Sequence, residues 1–527
     1  MNMKFKTLLV GTTMLMMTAS AAFAEVVLNR GSAADPESLD PHKTSTTYEA
    51  DILRDLFAGL MTQDAKATVI PGAAESYTTS ADGKTYTFKL RADGKWSDGS
   101  PVTAADFVFS WQRLVNPETA AEYAYLLAPV VNAEDITAKK NGKVPTDLGI
   151  KAIDDHTLEV QLKAVTPYFL EMLTHQATYA VSKANVEDKK ADFTKPGNLV
   201  SNGAFKLAEF VPNDHIKLVK NDNFYDAANV KIDAENFIPS EDRGAAMKRF
   251  EAGELDLYND LPTEQLADMK AKFGDQVKLS PYLGTYYYAF KTTKKPWDDV
   301  KLRNAISMAI DRNYLAEKVW SNTMIPAYGF VPPGITGYET KLLDYAEMSQ
   351  LDREDAAKKI LDEMGYTPEK PLKMEIRFNT SENHKNTAIA IQEQLKPLGV
   401  EVTLLNTDTK THYGLLEQHG DFDIARAAWI ADYKDPENFL ALCKTGTGNN
   451  YSEYTNPDYD ALLAKAASET DAGTRMKNLS DAEAIGVARD LCVVPLLYYG
   501  SHNIVSDKVK GWEANVMDVH PGRFLSK

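Results

Sequence analysis

The chain has 527 residues, of which 44% are hydrophobic, and its 75 acidic and 58 basic side chains give a formal net charge of −17 at pH 7. This acidic balance argues against nucleic acid as a partner, because a surface that binds phosphates must be basic. The length suits two or three domains of about 100–200 residues each.

The first 24 residues predict a secretory signal peptide. A short basic head precedes an apolar stretch that ends in the small-residue cleavage pattern Ala22-Phe23-Ala24. A membrane anchor is the alternative, but Thr and Ser interrupt the apolar run. We expect cleavage after Ala24, and because no Cys follows the cut we expect a soluble periplasmic protein rather than a lipoprotein.

The first half of the remaining chain alternates between predicted strands and helices. Segment 104–115 is typical of a helix, with Phe107 and Trp111 on one face. Gly253 is typical of a helix C-terminus that leads into a strand. In chain order we predict a strand at 26–32, a turn at 40–42, a helix at 48–61, strands at 86–91 and 230–239, and a helix-glycine-strand segment at 244–257.

The clearest α/β unit lies later in the chain, between tyrosine-rich strands near 284–290 and 496–500. Its strand-helix-strand pattern predicts parallel pairing with a right-handed crossover. The unit consists of a strand at 372–378, a helix that ends at Gly399, a strand at 400–405 and a further strand at 422–431.

Two polar residues fall outside the carboxyl ends of these strands, where open α/β sheets gather their ligands. His384 follows strand 372–378, and Asp432 ends strand 422–431. Asp435, three residues later, has a structural explanation as the N-cap of a helix that has Pro436 at its first position. Asp432 has no such explanation and is therefore a candidate site residue.

Arg426 and Asp432 both have even numbers, so a straight strand places them on one face. At roughly 3.3 Å per residue they lie about 20 Å apart, and side-chain reach leaves a gap of about 10–15 Å. An extended ligand of about three to five residues fills that gap. An acid at one end and a base at the other match the charges of a free peptide, although solvated or locally paired charges are the alternative.

Cys443 and Cys492 are the two cysteines of the chain. In an oxidising compartment two cysteines most often form a structural disulfide. A redox or metal role is the weaker alternative, since the sequence has no C-x-x-C and no His at ligand spacing.

Motifs for catalysis are absent from the sequence. It has no G-x-S-x-G, H-E-x-x-H, Walker phosphate loop or Gly-rich dinucleotide fingerprint, and its nine histidines are scattered. We therefore predict a protein that is not an enzyme, with no cofactor and no metal site.

Seven segments of the mature chain are SLDPHKTSTTYEADILRDLFAGL, YTFKLRADGKWSDGSPVTAADFVFSWQRLVNP, DLGIKAIDDHTLEVQL, NGAFKL, PYLGTYYYAF, PAYGFVPPG and ARAAWIADYKDPENFL. Together they resemble the periplasmic oligopeptide-binding proteins of ABC importers, within the dipeptide/oligopeptide/nickel solute-binding family. They cover the mature chain in the family's order, and the chain is similar also to the murein-tripeptide-binding relatives.

The resemblance implies an α/β fold of the type II periplasmic binding protein, in the three-domain oligopeptide-binding form, with two lobes that close around a two-strand hinge. It implies short peptides as ligands, an inner-membrane ABC permease with cytoplasmic ATPases as partner, and a monomer. The implied division is signal peptide 1–24, domain I 25–57, domain II 58–181, domain I again 182–283, domain III 284–498 and a last part of domain I 499–527.

The resemblance also implies site residues. Asp432 matches the residue that binds the peptide amine, and Arg426 and His384 match those that meet the carboxylate. The cleft and backbone contacts would come from Thr47, Tyr123, Trp320, Ala428, Trp429, Ile430, Ala431 and Tyr433.

The chain keeps the family pattern at the amine end of the site and departs from it towards the carboxylate end. Gly284 and Ile430 stand where the best-known enterobacterial pattern has cysteines, Ser45 replaces a glutamate and Trp320 replaces a lysine. The preferred ligand length is therefore left open. The alternatives are a receptor of the same fold for murein peptide, nickel chelate, haem or another small ligand, and a periplasmic peptidase.

Overall fold

The structure, a computed structural model, describes residues 25–262 and 265–527, so the predicted signal peptide lies outside the described residues. The strands of the described chain are β1 (Val27–Ser32), β2 (Met61–Gln63), β3 (Val69–Pro71), β4 (Ala74–Thr79), β5 (Thr85–Leu90), β6 (Ile150–Asp154), β7 (Thr157–Gln161), β8 (Phe205–Val211), β9 (His215–Lys220), β10 (Ala234–Pro239), β11 (Leu257–Tyr258), β12 (Val277–Phe290), β13 (Met324–Pro326), β14 (Leu372–Asn379), β15 (Val400–Thr407), β16 (Ile424–Ile430) and β17 (Val494–Val505).

The α-helices of the described chain are joined by short 3₁₀ and π-helical turns. In chain order the α-helices are α1 (Thr47–Leu56), α2 (Ala104–Val115), α3 (Ala133–Thr137), α4 (Phe169–Met172), α5 (Lys183–Lys189), α6 (Arg243–Glu251), α7 (Leu266–Phe273), α8 (Val300–Ala309), α9 (Arg312–Tyr314), α10 (Gln350–Glu363), α11 (Glu382–Leu395), α12 (Thr409–Glu417), α13 (Glu437–Leu440), α14 (Pro457–Ser468) and α15 (Ala472–Glu483).

One large mixed sheet runs through the molecule. Its strands are ordered β15-β14-β16-β12-β17-β11-β1-β10-β9-β8, and β13 also pairs with β17. A separate four-stranded sheet has the order β4-β5-β7-β6, and β2 pairs with β3. The buried apolar residues form two large cores, one drawn mainly from residues 28–237 and one from residues 283–497. We call the parts around these cores the first lobe and the second lobe.

The predicted α/β unit is present in the second lobe. β14 and β15 pair in parallel from Leu372↔Val400 onward, with α11 between them in the chain. Gly399 turns the chain into β15 with a φ of 83°, a left-handed conformation that glycine adopts without strain. β16 pairs in parallel with β14 and antiparallel with β12.

Several elements predicted from periodicity have the expected type with different ends. The helix predicted at 48–61 ends at Leu56, and the strand predicted at 230–239 begins at Ala234. The buried side chains of Val230 and Ile232 pack into the first core without joining the sheet. Their apolar character reflects burial in a loop. In sequence, such alternating buried residues look the same as those of a strand.

The two tyrosine-rich strands, β12 and β17, connect the lobes. They pair antiparallel from Val277↔Ile504 to Pro281↔Gly500 and again from Thr285↔Tyr498 to Tyr288↔Val494. The register shifts between these two stretches. Such an irregularity bends the pair near Leu283, the first residue of β12 that belongs to the second core.

A disulfide joins Cys443 and Cys492, whose Cα atoms are 6.0 Å apart. Cys443 ends the short turn after α13, and Cys492 lies just before β17. The bond therefore ties the segment that follows Asp432 to the start of a strand that crosses between the lobes.

Candidate functional site

A cavity of about 680 Å³ lies between the lobes, within the size range of small-molecule sites. The first lobe contributes one face of α1 and the segment around Tyr123. The second lobe contributes the end of β16, and β17 runs along the cavity. The wall residues used below are Thr47, Asp51, Arg54, Tyr123, Asp260, Trp320, Asn383, Ile430, Ala431, Asp432, Tyr499 and Asp518.

Helix α1 presents Thr47, Asp51 and Arg54 to the cavity at helical spacing. Its start is fixed by a capping box, in which Thr46 accepts a hydrogen bond from the N–H of Glu49 and the Glu49 carboxylate accepts from the N–H of Thr46. The opposite face of the helix is buried in the first core, which holds the polar face toward the cavity.

Asp432 lies directly after β16 and is half-buried. One carboxylate oxygen accepts a hydrogen bond from the hydroxyl of Tyr125, which belongs to the first lobe, so this contact joins the two lobes. Its backbone N–H donates to Asn438 Oδ1 at 3.2 Å. Burial raises the pKa of Asp432 to about 6, although the hydrogen bonds from Tyr125 and Asn438 act in the opposite direction.

The other carboxylates of the cavity wall each lie within 4 Å of an arginine or histidine nitrogen. Asp51 lies 3.5 Å from Arg54, Asp260 lies 2.8 Å from Arg243, and Asp518 lies 3.0 Å from His520. Within residues 25–262 and 265–527, no Lys, Arg or His forms an ion pair with Asp432. Among the wall carboxylates described, Asp432 is therefore the one without an arginine or histidine at ion-pair distance.

The predicted helix start is displaced by one residue: α13 begins at Glu437, so Pro436 and not Asp435 is the N-cap. The Asp435 side chain still accepts a hydrogen bond from the N–H of Glu437 at 2.9 Å. The Asp435 carboxylate also forms a buried, two-pronged ion pair with Arg475 at 2.7 and 2.8 Å. That pair makes Asp435 unavailable to a ligand.

Arg426 is a buried guanidinium held by neutral groups. Nη1 donates to Asn379 at 3.1 Å and to the Tyr413 hydroxyl at 2.9 Å, and Nη2 donates to the Tyr499 hydroxyl at 3.0 Å. The ring of Tyr286 lies 4.7 Å from its central carbon. In the described part of the chain no carboxylate pairs with Arg426. Burial acts to lower the pKa of Arg426, but the surrounding tyrosines more than offset it, so the group stays cationic.

His384 lies in the first turn of α11, with its ring 5.5 Å from Tyr286 and 6.3 Å from Trp320. Burial, together with the charge of Arg426, lowers the pKa of His384 to about 3, so the imidazole is neutral. Its Nδ1 has no hydrogen-bond partner among the described residues. Neither Arg426 nor His384 is among the residues that line the cavity, but Arg426 contacts the wall residue Tyr499 and His384 contacts the wall residue Trp320.

The remaining residues implied by the resemblance divide into two groups. Thr47, Tyr123, Trp320, Ile430 and Ala431 line the cavity with Asp432. The other three are placed elsewhere: Ala428 pairs with Tyr286 in the sheet, the Trp429 indole donates to Asn438, and Tyr433 packs against Tyr168.

The contact of Tyr433 with Tyr168 belongs to a seam beside the cavity where the lobes touch. The two rings are stacked with centroids 5.3 Å apart, and Arg475 lies 5.4 Å from the Tyr168 ring. Next to them, Lys434 Nζ donates to the carbonyl of Ala67 at 2.8 Å. The lobes are therefore in direct contact in this structure.

Sequence reasoning missed Tyr125 and Tyr499, two of the tyrosines that contact the charged site residues. Tyr125 is two residues from Tyr123, and Tyr499 lies in the tyrosine-rich segment already assigned to β17. Their hydroxyl partners lie 307 and 73 residues away in the sequence, so nothing local indicates the contacts.

The described residues contain no cluster of three or more His, Cys, Asp or Glu side chains arranged to hold a metal ion. Among the helices that the structure describes, none combines the length and the apolar composition needed to cross a bilayer.

The chain matches known proteins over most of its length. Residues 68–451 match the model of the bacterial extracellular solute-binding proteins, family 5 middle region. The periplasmic oligopeptide-binding protein OppA of Salmonella typhimurium is 39% identical over 489 residues, which cover 92% of this chain and 89% of OppA. The periplasmic murein peptide-binding protein MppA of Escherichia coli is also 39% identical, over 91% of this chain and 89% of MppA.

The fold is shared as well. The crystal structure of Haemophilus influenzae OppA in complex with RPPGFSPFR superposes with a TM-score of 0.79 at 36% identity, covering 96% of this chain and 99% of that chain. These matches confirm the predicted two-lobed, type II α/β fold. The chain belongs to family 5 of the bacterial extracellular solute-binding proteins, a family of receptors rather than enzymes.

Proposed function

We propose that this protein is a periplasmic receptor that captures short peptides between its lobes and delivers them to an ABC permease. The proposal rests on the family and on one observation in the site. Asp432 is a half-buried carboxylate at the cavity wall, and no basic side chain of the described residues neutralises it.

The free amine of a peptide supplies the missing positive charge. Oδ2 of Asp432 accepts from Tyr125, which leaves Oδ1 for an ammonium group. Inside a closed cleft such an ion pair is worth more than at the surface, because water screens it less. A ligand with a blocked amine leaves the carboxylate desolvated without compensation, which costs about 2–5 kcal/mol in comparable interfaces.

The carboxylate end of a peptide long enough to span the site is assigned to Arg426 and His384. Arg426 is a buried cation with no acidic partner in the described chain, and it attracts an anion for the same reason that Asp432 attracts a cation. His384 is neutral, so it contributes a hydrogen bond rather than a charge until a bound carboxylate raises its pKa.

The cellular context follows from the same proposal. The chain is exported with residues 1–24 as a signal peptide, is cleaved after Ala24 and acts as a monomer without catalysis, with a permease and its ATPases as partners. The names of OppA and MppA, which are periplasmic peptide-binding proteins, support this assignment.

Isothermal titration calorimetry with trialanine and N-acetyl-trialanine tests the proposal on the wild type and on Asp432→Asn. We expect the free tripeptide to bind the wild type, and acetylation and the substitution each to weaken binding at least tenfold. Asp518→Asn is the matched control, because Asp518 lines the same cavity and already contacts His520. Its affinity should stay within about threefold of the wild type.

Two outcomes contradict the proposal at different levels. If neither trialanine nor longer peptides bind, the ligand is not a peptide. If trialanine binds but acetylation and Asp432→Asn change nothing, the protein is a peptide receptor in which Asp432 is not the amine anchor.

A further inference from the structure

Tyr499 links the cavity, which Asp432 lines, with the buried guanidinium of Arg426. Its ring lines the cavity, while its hydroxyl accepts the hydrogen bond from Arg426 Nη2 at 3.0 Å. It lies next to the pair Gly284↔Ile430, which is four residues along β16 from Arg426 and two residues from Asp432. The phenol therefore extends along the strand face from the Ile430 level to the guanidinium.

Gly284 makes this arrangement possible. A Cβ atom at position 284 would come within 3.0 Å of Tyr499 Cδ2 and within 2.4 Å of Ile430 Cδ1. Distances this short force the neighbouring atoms to move. The absence of a side chain at Gly284 lets the tyrosine and the isoleucine meet over the backbone of β12.

The consequence is that Arg426 is shielded from the cavity. A ligand anchored at Asp432 that extends along the strand meets the Tyr499 ring before it reaches the guanidinium. The Tyr499 hydroxyl also occupies one of the two N–H donors of Nη2, for which a ligand carboxylate would compete. An extended ligand that spans the whole distance of about 20 Å between Arg426 and Asp432 must displace the ring.

We propose that Tyr499, seated over Gly284, determines the length of ligand that this receptor prefers. With the ring in place, the cavity favours peptides of about three residues over peptides of four or five, which must move the ring to bring their carboxylate to Arg426. This inference rests on the proposed function and adds a residue that selects peptides by their length.

The test compares the dissociation constants of trialanine, tetraalanine and pentaalanine by calorimetry. In the wild type we expect trialanine to bind more tightly than pentaalanine. In Tyr499→Ala the ratio of pentaalanine to trialanine dissociation constants should fall at least tenfold, because the cavity then extends to Arg426. Tyr499→Phe keeps the ring and should retain the preference for trialanine.

Two further variants complete the design. Gly284→Ala keeps Tyr499 but adds a methyl group that pushes its ring aside, so the ratio of pentaalanine to trialanine dissociation constants should fall. This variant provides the test if Tyr499→Ala does not fold. Tyr498→Phe is the matched control, since the Tyr498 hydroxyl binds the backbone of Gly329 and not Arg426. Its ratio should stay within about threefold of the wild type.

The outcomes separate this inference from the proposed function. A wild type that prefers pentaalanine, or a ratio that neither Tyr499→Ala nor Gly284→Ala changes, overturns the role of Tyr499 and leaves a peptide receptor. A wild type that binds none of the three peptides overturns the proposed function, and the inference with it.

Discussion

At the residue scale, the chemistry of the site comes from charges that are left without a partner. Asp432 and Arg426 are separated along one strand, and each is held by tyrosine and amide groups rather than by an opposite charge. Asp435, three residues after Asp432, shows the alternative: its charge is satisfied within the protein by an ion pair with Arg475. A pair of unmatched charges at a cavity is instead suited to a ligand that carries both.

The raised pKa of Asp432 predicts a pH dependence of binding. The carboxylate must be ionised to hold an ammonium group, and with a pKa of about 6 it is mostly ionised at pH 7 and mostly protonated at pH 5. We expect the affinity for trialanine to be about tenfold lower at pH 5 than at pH 7. An ordinary carboxyl group, with a pKa of about 3.9, would lose almost nothing over this range.

Calorimetry at pH 5, 6 and 7 measures this dependence, in a window where the peptide amine stays protonated. The Asp432→Asn variant should show a flat profile, because the titrating group has been removed. An equally steep loss in that variant would assign the pH dependence to another group.

At the scale of secondary-structure elements, sequence patterns determined much of the site's framework. The helix predicted at 104–115 matches α2, and the strand-helix-strand unit matches β14, α11 and β15. Arg426 lies within β16 and Asp432 follows the end of that strand, so their shared face, inferred from even numbering, stays a prediction. The element ends were less predictable, because Leu56 and Ala234 are boundaries set by tertiary packing and strand pairing.

The disulfide acts at this same scale, since it connects the turn after α13 with the start of β17. Closing a loop of 49 residues in the unfolded chain stabilises the protein by about 4 kcal/mol in the chain-entropy model. We expect the double variant Cys443→Ala/Cys492→Ala to lose about 2–5 kcal/mol of unfolding free energy.

Guanidinium chloride unfolding of the double variant and of the oxidised wild type measures this difference. Adding a reductant should lower the stability of the wild type toward that of the variant and leave the variant unchanged. Equal midpoints for the two oxidised proteins would show that the bond contributes nothing to stability.

At the scale of the whole molecule, two strands and one seam govern how the lobes meet. β12 and β17 cross between the cores with a register shift, and the Tyr168–Tyr433 stack joins the lobes beside the cavity. We propose that the register shift is the hinge and that the division into domain I (25–57, 182–283 and 499–527), domain II (58–181) and domain III (284–498) follows from it.

The seam predicts how closure can be weakened. Tyr168→Ala removes the stacked ring and the surface on which Arg475 rests, so the open form should gain population. In small-angle X-ray scattering we expect a larger radius of gyration than the wild type without ligand, and a return to the wild-type value with saturating trialanine. Because part of the binding energy is then used for closure, the affinity should fall about three- to tenfold.

Tyr314→Ala is the control for this experiment. Tyr314 is an exposed tyrosine of α9 that is 47% accessible and lies away from the seam. Its radius and affinity should match those of the wild type. An unchanged radius in Tyr168→Ala would show that the stack does not hold the lobes together.

The sequence by itself determined the fold class, the α/β unit, the charged strand and the position of Asp432 at its end. The α/β unit and the charged strand depend on local periodicity and residue chemistry, which the chain order carries directly, whereas the fold class came from the resemblance of seven segments to a known family. The tertiary structure decided that Tyr125 reaches Asp432, that Arg475 neutralises Asp435 and that Tyr499 lies over Gly284 in front of Arg426. Each of these contacts joins residues at least 40 positions apart, so its existence depends on how distant elements pack.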